Sequence, residues 1–363
     1  MNTESKLITV IGATGIQGGS VIAAALKSGD WKIRGVTRNV NSDTSKALAS
    51  KGVEMVTADW NDESTLVKAF EGSYAIYAVT DYWAGFMTQS VEELIDIEAR
   101  QGISLAKAAS QTSSLKHFVW STVPDHVKIS GGKHSIPHFE GKHKVDEFIR
   151  QDKDLLSKTT FLWVGYYGTN ITLPMIVPNL LKTCGKYVQL FPVSDDTPIT
   201  TVGDPKVNTG IYALAIFNQP QLTIGRIVLA QSETRTTREI INLWSQISGK
   251  PADYVQVPLD HYDNLWPKWG REIGLMLQFW ETAREKSWTA DEPVLTKEDL
   301  NISGLIGMKE IFSSLEVVVE RVGRLAYRLE LSPTWGINPV LSVQHFEPAP
   351  SPEPFGREPA ENP

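Results

Sequence analysis

The sequence predicts an α/β fold, a doubly wound parallel sheet followed by a smaller α/β part and a Pro-rich tail. Three observations carry that prediction. Short apolar runs alternate with helical stretches throughout the first half, the signature of parallel strands wrapped by helices. A glycine series interrupts the chain between the first such strand and the first such helix. The composition, 41% hydrophobic and 21% charged over 363 residues, is ordinary for a globular chain long enough for one large domain or two modest ones.

In order, "KLITVIG" reads as the first strand and "GGSVIAAALKSG" as an Ala-rich helix that stops at Gly29. "WKIRGVTRN" is the second strand, "SKALASKG" the second helix, "VEMVTADW" the third strand and "DESTLVKAFEG" the third helix. "YAIYAVTDYW" is a strand running into a loop, and "SVEELIDIEARQGISLAKAASQ" is a long helix. "KHFVWST" is the fifth strand, "PHFEGKHKVDEFIR" the next helix, and "TTFLWVGYYGTN" the sixth strand with its exit loop. Six strands connected in this way form a dinucleotide-binding, Rossmann-type sheet.

The predicted organisation is a nucleotide-binding domain over 1–170, a smaller covering part over 171–320 and an extension over 321–363. Some strands of the covering part are expected to rejoin the main sheet. Five of the 11 tryptophans lie between Trp244 and Trp288, which suits an aromatic cover over a cleft, with Trp266 and Trp280 as substrate-lining candidates. From Pro333 the last 31 residues hold 8 of the 20 prolines, a composition expected to be flexible.

The totals also exclude function classes. A net charge of -7 argues against direct binding to nucleic acid or to an anionic membrane, both of which need clustered Lys and Arg. Cys184 is the only cysteine, so no intrachain disulfide or cysteine-based metal site can form. His134, His138 and His143 lie close together but lack a recognisable ligand spacing, and no metal is expected. With no apolar run of membrane-spanning length and no signal-like start, the expected compartment is the cytoplasm.

"VIGATGIQGG" carries the strongest chemical signal. Gly12, Gly15 and Gly18 allow a sharp turn, a close backbone approach to a pyrophosphate and tight helix–strand packing. Thr14, Ile16 and Gln17 fill the loop between them, and the helix N-terminus supplies partial positive charge. At the end of the second strand an NAD site would place an acid on the ribose hydroxyls. Here "VTRN" offers Arg38 instead, a fork of donors suited to a 2′-phosphate. The expected cofactor is therefore NADP(H). Asp59 and Trp60 follow the third strand, where an adenine would lie. Val79 and Thr80 follow the fourth, beside the dinucleotide path, and Asp81, Tyr82 and Trp83 line the mouth beyond.

The ordered series "GATGIQGG", "VTRN", "EARQGISLAKAAS", "KHFVWST", "PHFEGKHKVDEFIR" and "GRIVLAQSETRTTREI" resembles the NmrA-like family of atypical short-chain dehydrogenases/reductases, relatives of the isoflavone-reductase-like proteins. The resemblance spans roughly residues 5 to 320. It implies an extended Rossmann domain that prefers NADP(H), closed over by a C-terminal part. Ordinary short-chain dehydrogenases place a Tyr and a Lys four residues apart on one helix face. "HFEGK" keeps the spacing and Lys142 but puts His138 in the tyrosine position. The resemblance assigns Lys142 to the nicotinamide ribose and Ser121 to the hydroxyl that orients a substrate carbonyl. His138, or a phenol from Tyr166 or Tyr167, would carry the proton. Tyr166 and Asn170 fall near the nicotinamide and Tyr167 near the substrate.

The family contains reductases and regulators, so three readings follow. One is an NADP(H)-dependent oxidoreductase acting on a bulky apolar or aromatic small molecule of natural-product (secondary metabolite) biosynthesis. Another is a non-catalytic NADP(H) sensor that binds a protein partner such as a transcription factor. The third is a cofactor-assisted cyclase. Fold alone does not choose among them.

Overall fold

The protein is described from a computed structural model, which covers residues 6–315, 317–323, 326–330 and 340–342. The first half alternates as expected: β1 (Lys6–Ile11), α1 (Ile16–Ser28), β2 (Trp31–Thr37), α2 (Asp43–Ala49), β3 (Glu54–Thr57), α3 (Glu63–Phe70), β4 (Ala75–Ala78) and α4 (Val91–Ser110). It continues with β5 (His117–Thr122), α5 (His126–Ser130), α6 (Pro137–Gln151), α7 (Lys153–Leu156) and β6 (Thr159–Val164). Strong caps set the helix ends. Ser90 and Glu93 form a reciprocal capping box at the start of α4, and left-handed Gly29 ends α1.

The chain then runs through β7 (Tyr166–Tyr167), β8 (Asn179–Leu181), β9 (Lys186–Phe191), β10 (Pro198–Gly203), α8 (Pro205–Asn218), α9 (Pro220–Thr223), β11 (Ile227–Ala230) and β12 (Glu233–Thr236). After these come α10 (Thr237–Ser248), β13 (Ala252–Gln256), α11 (Leu259–Leu265), α12 (Trp269–Ala283), β14 (Val294–Leu295) and α13 (Met308–Ser314). The predicted sixth strand breaks at Gly165, where a Cβ would crowd Val202 N at 2.9 Å and two carbonyls at 3.1 Å. The chain crosses there from the main sheet to a smaller one.

Eight strands form the main sheet in the order β14-β11-β6-β5-β4-β1-β2-β3, all in parallel register. The order reverses between β1 and β4, so the crevice beyond the carboxyl ends of those two strands is the expected ligand position. Two three-stranded sheets, β12-β10-β7 and β13-β9-β8, belong to the covering part. The described residues up to Ile311 cluster as one compact unit.

Two hydrophobic cores lie on opposite faces of the sheet. One joins α1 to α8 through Val21, Ala25, Tyr212 and Ile216; the other packs Leu105, Trp120, Val145 and Ile149 under α4 and α6. α8 reaches α1 because Gly210 has no side chain, since a Cβ there would overlap the Ser20 carbonyl. The Gly210 N–H also donates to Ser20 Oγ at 2.8 Å. This contact seats α1 on the sheet.

In the unit beyond Ile311, β15 (Val317–Gly323), β16 (Ala326–Glu330) and β17 (Val340–Ser342) pair antiparallel in that order. The rest of the extension expected to be flexible from Pro333 lies outside the described residues. No helix among the described residues is long and apolar enough to cross a membrane.

Candidate functional site

The crevice floor is built from the loop between β1 and α1. Gly12 has φ +65°, and a Cβ on Gly18 would overlap the Gly12 carbonyl, so both positions need glycine. Gly15 caps α1 with extended backbone and no side-chain hydrogen bond, and the first turn of α1 has no acidic residue. The orphan N–H groups of that turn thus face outward without an internal anion. Thr14 and Ile16 are exposed beside them, Ile16 at 45%. Val79 closes the other side, 3.4 Å from a Cβ built on Gly12. Arg38, at the end of β2, is exposed and makes no hydrogen bond or ion pair among the described residues. Asp59 accepts from the Asn61 N–H at 2.9 Å, and Trp60 is half-buried with its indole N–H unpaired. An open helix N-terminus, a side-chain-free cradle and a free guanidinium together fit a phosphorylated dinucleotide.

Gln17 turns inward from this loop. Its side chain accepts from Tyr77 (2.6 Å) and Ser121 (2.7 Å) and donates to the Tyr167 hydroxyl at 2.7 Å. The Ser121 hydroxyl, expected to orient a substrate carbonyl, is thus engaged with the loop between β1 and α1. Burial pushes the Tyr167 phenol up to about 12, so it keeps its proton at neutral pH.

The α6 face carries the predicted dyad. Lys142 Nζ donates to Thr80 Oγ1 at 2.7 Å and pairs with Glu98 Oε1 at 2.8 Å, while Thr80 donates to the same oxygen at 2.7 Å. Glu98, on α4, is fully buried and its Oε2 has no partner. Gly141 makes room for it, since a Cβ there would stand 2.8 Å from that Oε2. One turn further along α6, the half-buried Asp146 carboxylate accepts from Trp120 Nε1 at 2.7 Å and Thr122 Oγ1 at 3.0 Å. Burial raises Asp146 to about 7, outweighing those two donors and the nearby Arg150 and Lys142.

His138 lies one turn before Lys142. Its Nδ1 is 2.6 Å from Glu272 Oε1 on α12, and its backbone N–H donates to the same oxygen at 2.9 Å. The ring Nε2 makes no hydrogen bond among the described residues. Tyr82 O–H reaches Glu272 Oε2 at 3.4 Å. Trp83 stands 5.1 Å from the His138 ring and stacks on Trp269 at 17°. Lys268 donates to the carbonyls of Phe86 and Gln89, tying the loop after β4 to the start of α12. His134 contacts Thr282 on the same helix at 3.1 Å.

The remaining predicted residues are spread around this core. Tyr166 stands edge-on to buried Trp280 at 5.7 Å, with Asn170 beside its hydroxyl, and burial pushes that phenol upward. Trp266 packs on Tyr262 at 5.1 Å, and Asp81 Oδ1 accepts from the Trp83 N–H at 3.1 Å. Sequence reasoning missed Glu98, Asp146, Trp269 and Glu272. Glu98 lay inside a segment read only for its helix, and the acid in "WGREIG" gave no local hint of its histidine.

Chemically, the arrangement offers a cation with one donor left after Thr80 and Glu98, and an imidazole whose far nitrogen is free. The model of the NmrA-like family matches residues 4–310. The NmrA-like family domain-containing oxidoreductase himF of Aspergillus japonicus is 33% identical over 267 residues, 69% of this chain and 75% of its own length. The crystal structure of NmrA, a negative transcriptional regulator, in complex with NADP superposes with TM-score 0.67 at 19% identity, covering 86% of this chain and 96% of that one. The NADPH-dependent quinone oxidoreductase QOR2 of Escherichia coli, complexed with NADPH, gives TM-score 0.64 at 16% identity over 84% of this chain and 98% of its own. The two structures share the fold with this chain.

Proposed function

The chain belongs to the NmrA-like family, and from that premise we propose that it is an NADP(H)-dependent oxidoreductase. Its substrate is a bulky apolar or aromatic small molecule of natural-product chemistry, reduced or oxidised at a carbonyl or imine. The observation that carries the reading is His138, backed by Glu272 on one ring nitrogen with the other free, one turn from Lys142. Relatives named as oxidoreductases support it.

NADPH, when bound, would supply the hydride for the substrate carbon. The open N-terminus of α1 and Arg38 would hold its phosphates. Lys142 keeps its ammonium fixed on Thr80 and Glu98, and its third N–H would be left to hold a ribose hydroxyl. In the oxidative direction the Nε2 lone pair of His138 takes the proton from the substrate oxygen or nitrogen. For reduction the ring first gains a solvent proton on Nε2, becoming an imidazolium held by Glu272, and then gives that proton to the substrate. Trp83, Phe86 and Trp269 cover the mouth with rigid apolar surface and exclude water.

The test is NADPH consumption against a panel of aromatic carbonyls and imines. Lys142→Ala and His138→Ala are each expected to lower kcat about 100-fold or more with folding retained. If both variants turn over normally, the dyad reading is wrong. A second reading, an NADP(H) sensor for a protein partner, draws on the Ser121 hydroxyl being engaged with Gln17. It prevails if no substrate turns over and a transcription-factor partner binds differently with and without NADP(H).

A further inference from the structure

We propose that Glu272, carried on the covering helix α12, is the positioning residue that makes His138 a proton carrier. The inference rests on the oxidoreductase reading for its consequence and on geometry for its basis. One oxygen of Glu272 receives both the Nδ1 and the backbone N–H of the same histidine, at 2.6 and 2.9 Å. An ionised carboxylate only accepts, so this contact puts the neutral ring's proton on Nδ1 and leaves the lone pair on Nε2. The Glu272 side chain is 3% exposed and that of His138 11%, so water competes little for either.

Glu272 is itself held for this task. It sits in the first turn of α12, where the helix dipole favours a carboxylate. Lys268, immediately before that helix, is bonded to the Phe86 and Gln89 carbonyls. The Trp83–Trp269 stack joins the same two elements. The histidine therefore comes from the sheet-bearing half and its orienting group from the cover, 134 residues away. His138 acquires its working tautomer only when α12 is docked.

A plainer role is conceivable for the same carboxylate. Ile136 gives α6 no side-chain cap, and Glu272 substitutes for one by accepting the His138 N–H. Capping alone needs no ring contact, and this difference can be measured. In the full-length protein labelled with 15N-histidine, long-range 1H–15N spectra report which ring nitrogen carries the proton, and His138→Gln assigns the signal. The expected wild-type result is a neutral His138 protonated at Nδ1, shifting to Nε2 in Glu272→Ala. Glu272→Gln keeps a neutral acceptor for the cap and for Nδ1 but removes the charge that steadies His138 when Nε2 also carries a proton. It is expected to lower kcat on the order of 10- to 100-fold, with the KM for NADPH within about twofold and the melting temperature nearly unchanged.

A neutral wild-type His138 that carries its proton on Nε2 instead of Nδ1, or full turnover in Glu272→Gln, overturns the proposal. If the wild-type chain turns over no substrate, the oxidoreductase reading falls, and the tautomer measurement alone decides Glu272.

Discussion

Two carboxylates meet α6 one turn apart, and they bind it to different parts of the molecule. Glu98 pairs with Lys142 at 2.8 Å from the neighbouring helix α4, and both groups belong to the sheet-bearing half. Glu272 pairs with His138 at 2.6 Å from the covering part. The Lys142 pair is part of the frame: Thr80 bonds both members, and Gly141 leaves room for the acid. The His138 pair is a connection between frame and cover. Equal spacing on one helix thus gives one internal brace and one joint.

The largest effect should come from breaking the brace. Glu98→Ala leaves the Lys142 ammonium, 14% exposed, without its counter-charge. Removing one partner of a buried pair costs about 3–5 kcal/mol. Urea unfolding measures it; a loss below about 1 kcal/mol would mean that Lys142 finds water and the pair is no brace. Breaking the joint should cost less. Glu272→Ala strands one backbone N–H and one ring nitrogen, worth about 1–3 kcal/mol. Should the two losses come out in the reverse order, the cover holds the fold more than the frame does.

The joint was also the harder of the two to read from sequence. The glycine loop, the first six strands and the α6 spacing follow local periods and turn residues, and the structure has them. α8 was missed because it is buried on most sides, including Tyr212, Ala213, Ile216 and Phe217, and shows no clean polar face. Glu98 and Glu272 find their partners 44 and 134 residues away, at separations without a periodic signature. Gln17 is similar: its position pointed to the cofactor loop, but its side-chain partners are 60, 104 and 150 residues distant. Local chemistry is visible in a sequence; pairing across elements requires the packed sheet.

Asp146 extends the comparison to a carboxylate on the same row of α6 that meets only neutral donors. Burial raises it from 3.8 to about 7, so the folded chain holds a proton that the unfolded chain releases. Stability from this group therefore falls as pH rises from about 4 to 7 and levels off above. Between pH 6 and 8 the wild type should lose on the order of 1 kcal/mol relative to Asp146→Asn. His117, lowered to about 4 by burial, and His126, also lowered by burial, have the opposite dependence but are common to both proteins and cancel. A difference that stays flat with pH would mean that Trp120, Thr122, Arg150 and Lys142 keep Asp146 ionised throughout.

The smallest stability effect is expected at Arg38. Its guanidinium is exposed and has no partner among the described residues, so Arg38→Ala should change unfolding free energy by less than about 0.5 kcal/mol. Its function should suffer selectively. Charge-assisted bonds to a 2′-phosphate are worth about 1.5–3 kcal/mol, so the KM for NADPH should rise roughly 10- to 100-fold while that for NADH barely moves. Glu98→Ala should weaken both cofactors alike, because the brace it removes does not depend on the 2′-phosphate. If Arg38→Ala weakens NADPH and NADH equally, the arginine is not the phosphate fork, and the preference between cofactors has another origin in the crevice.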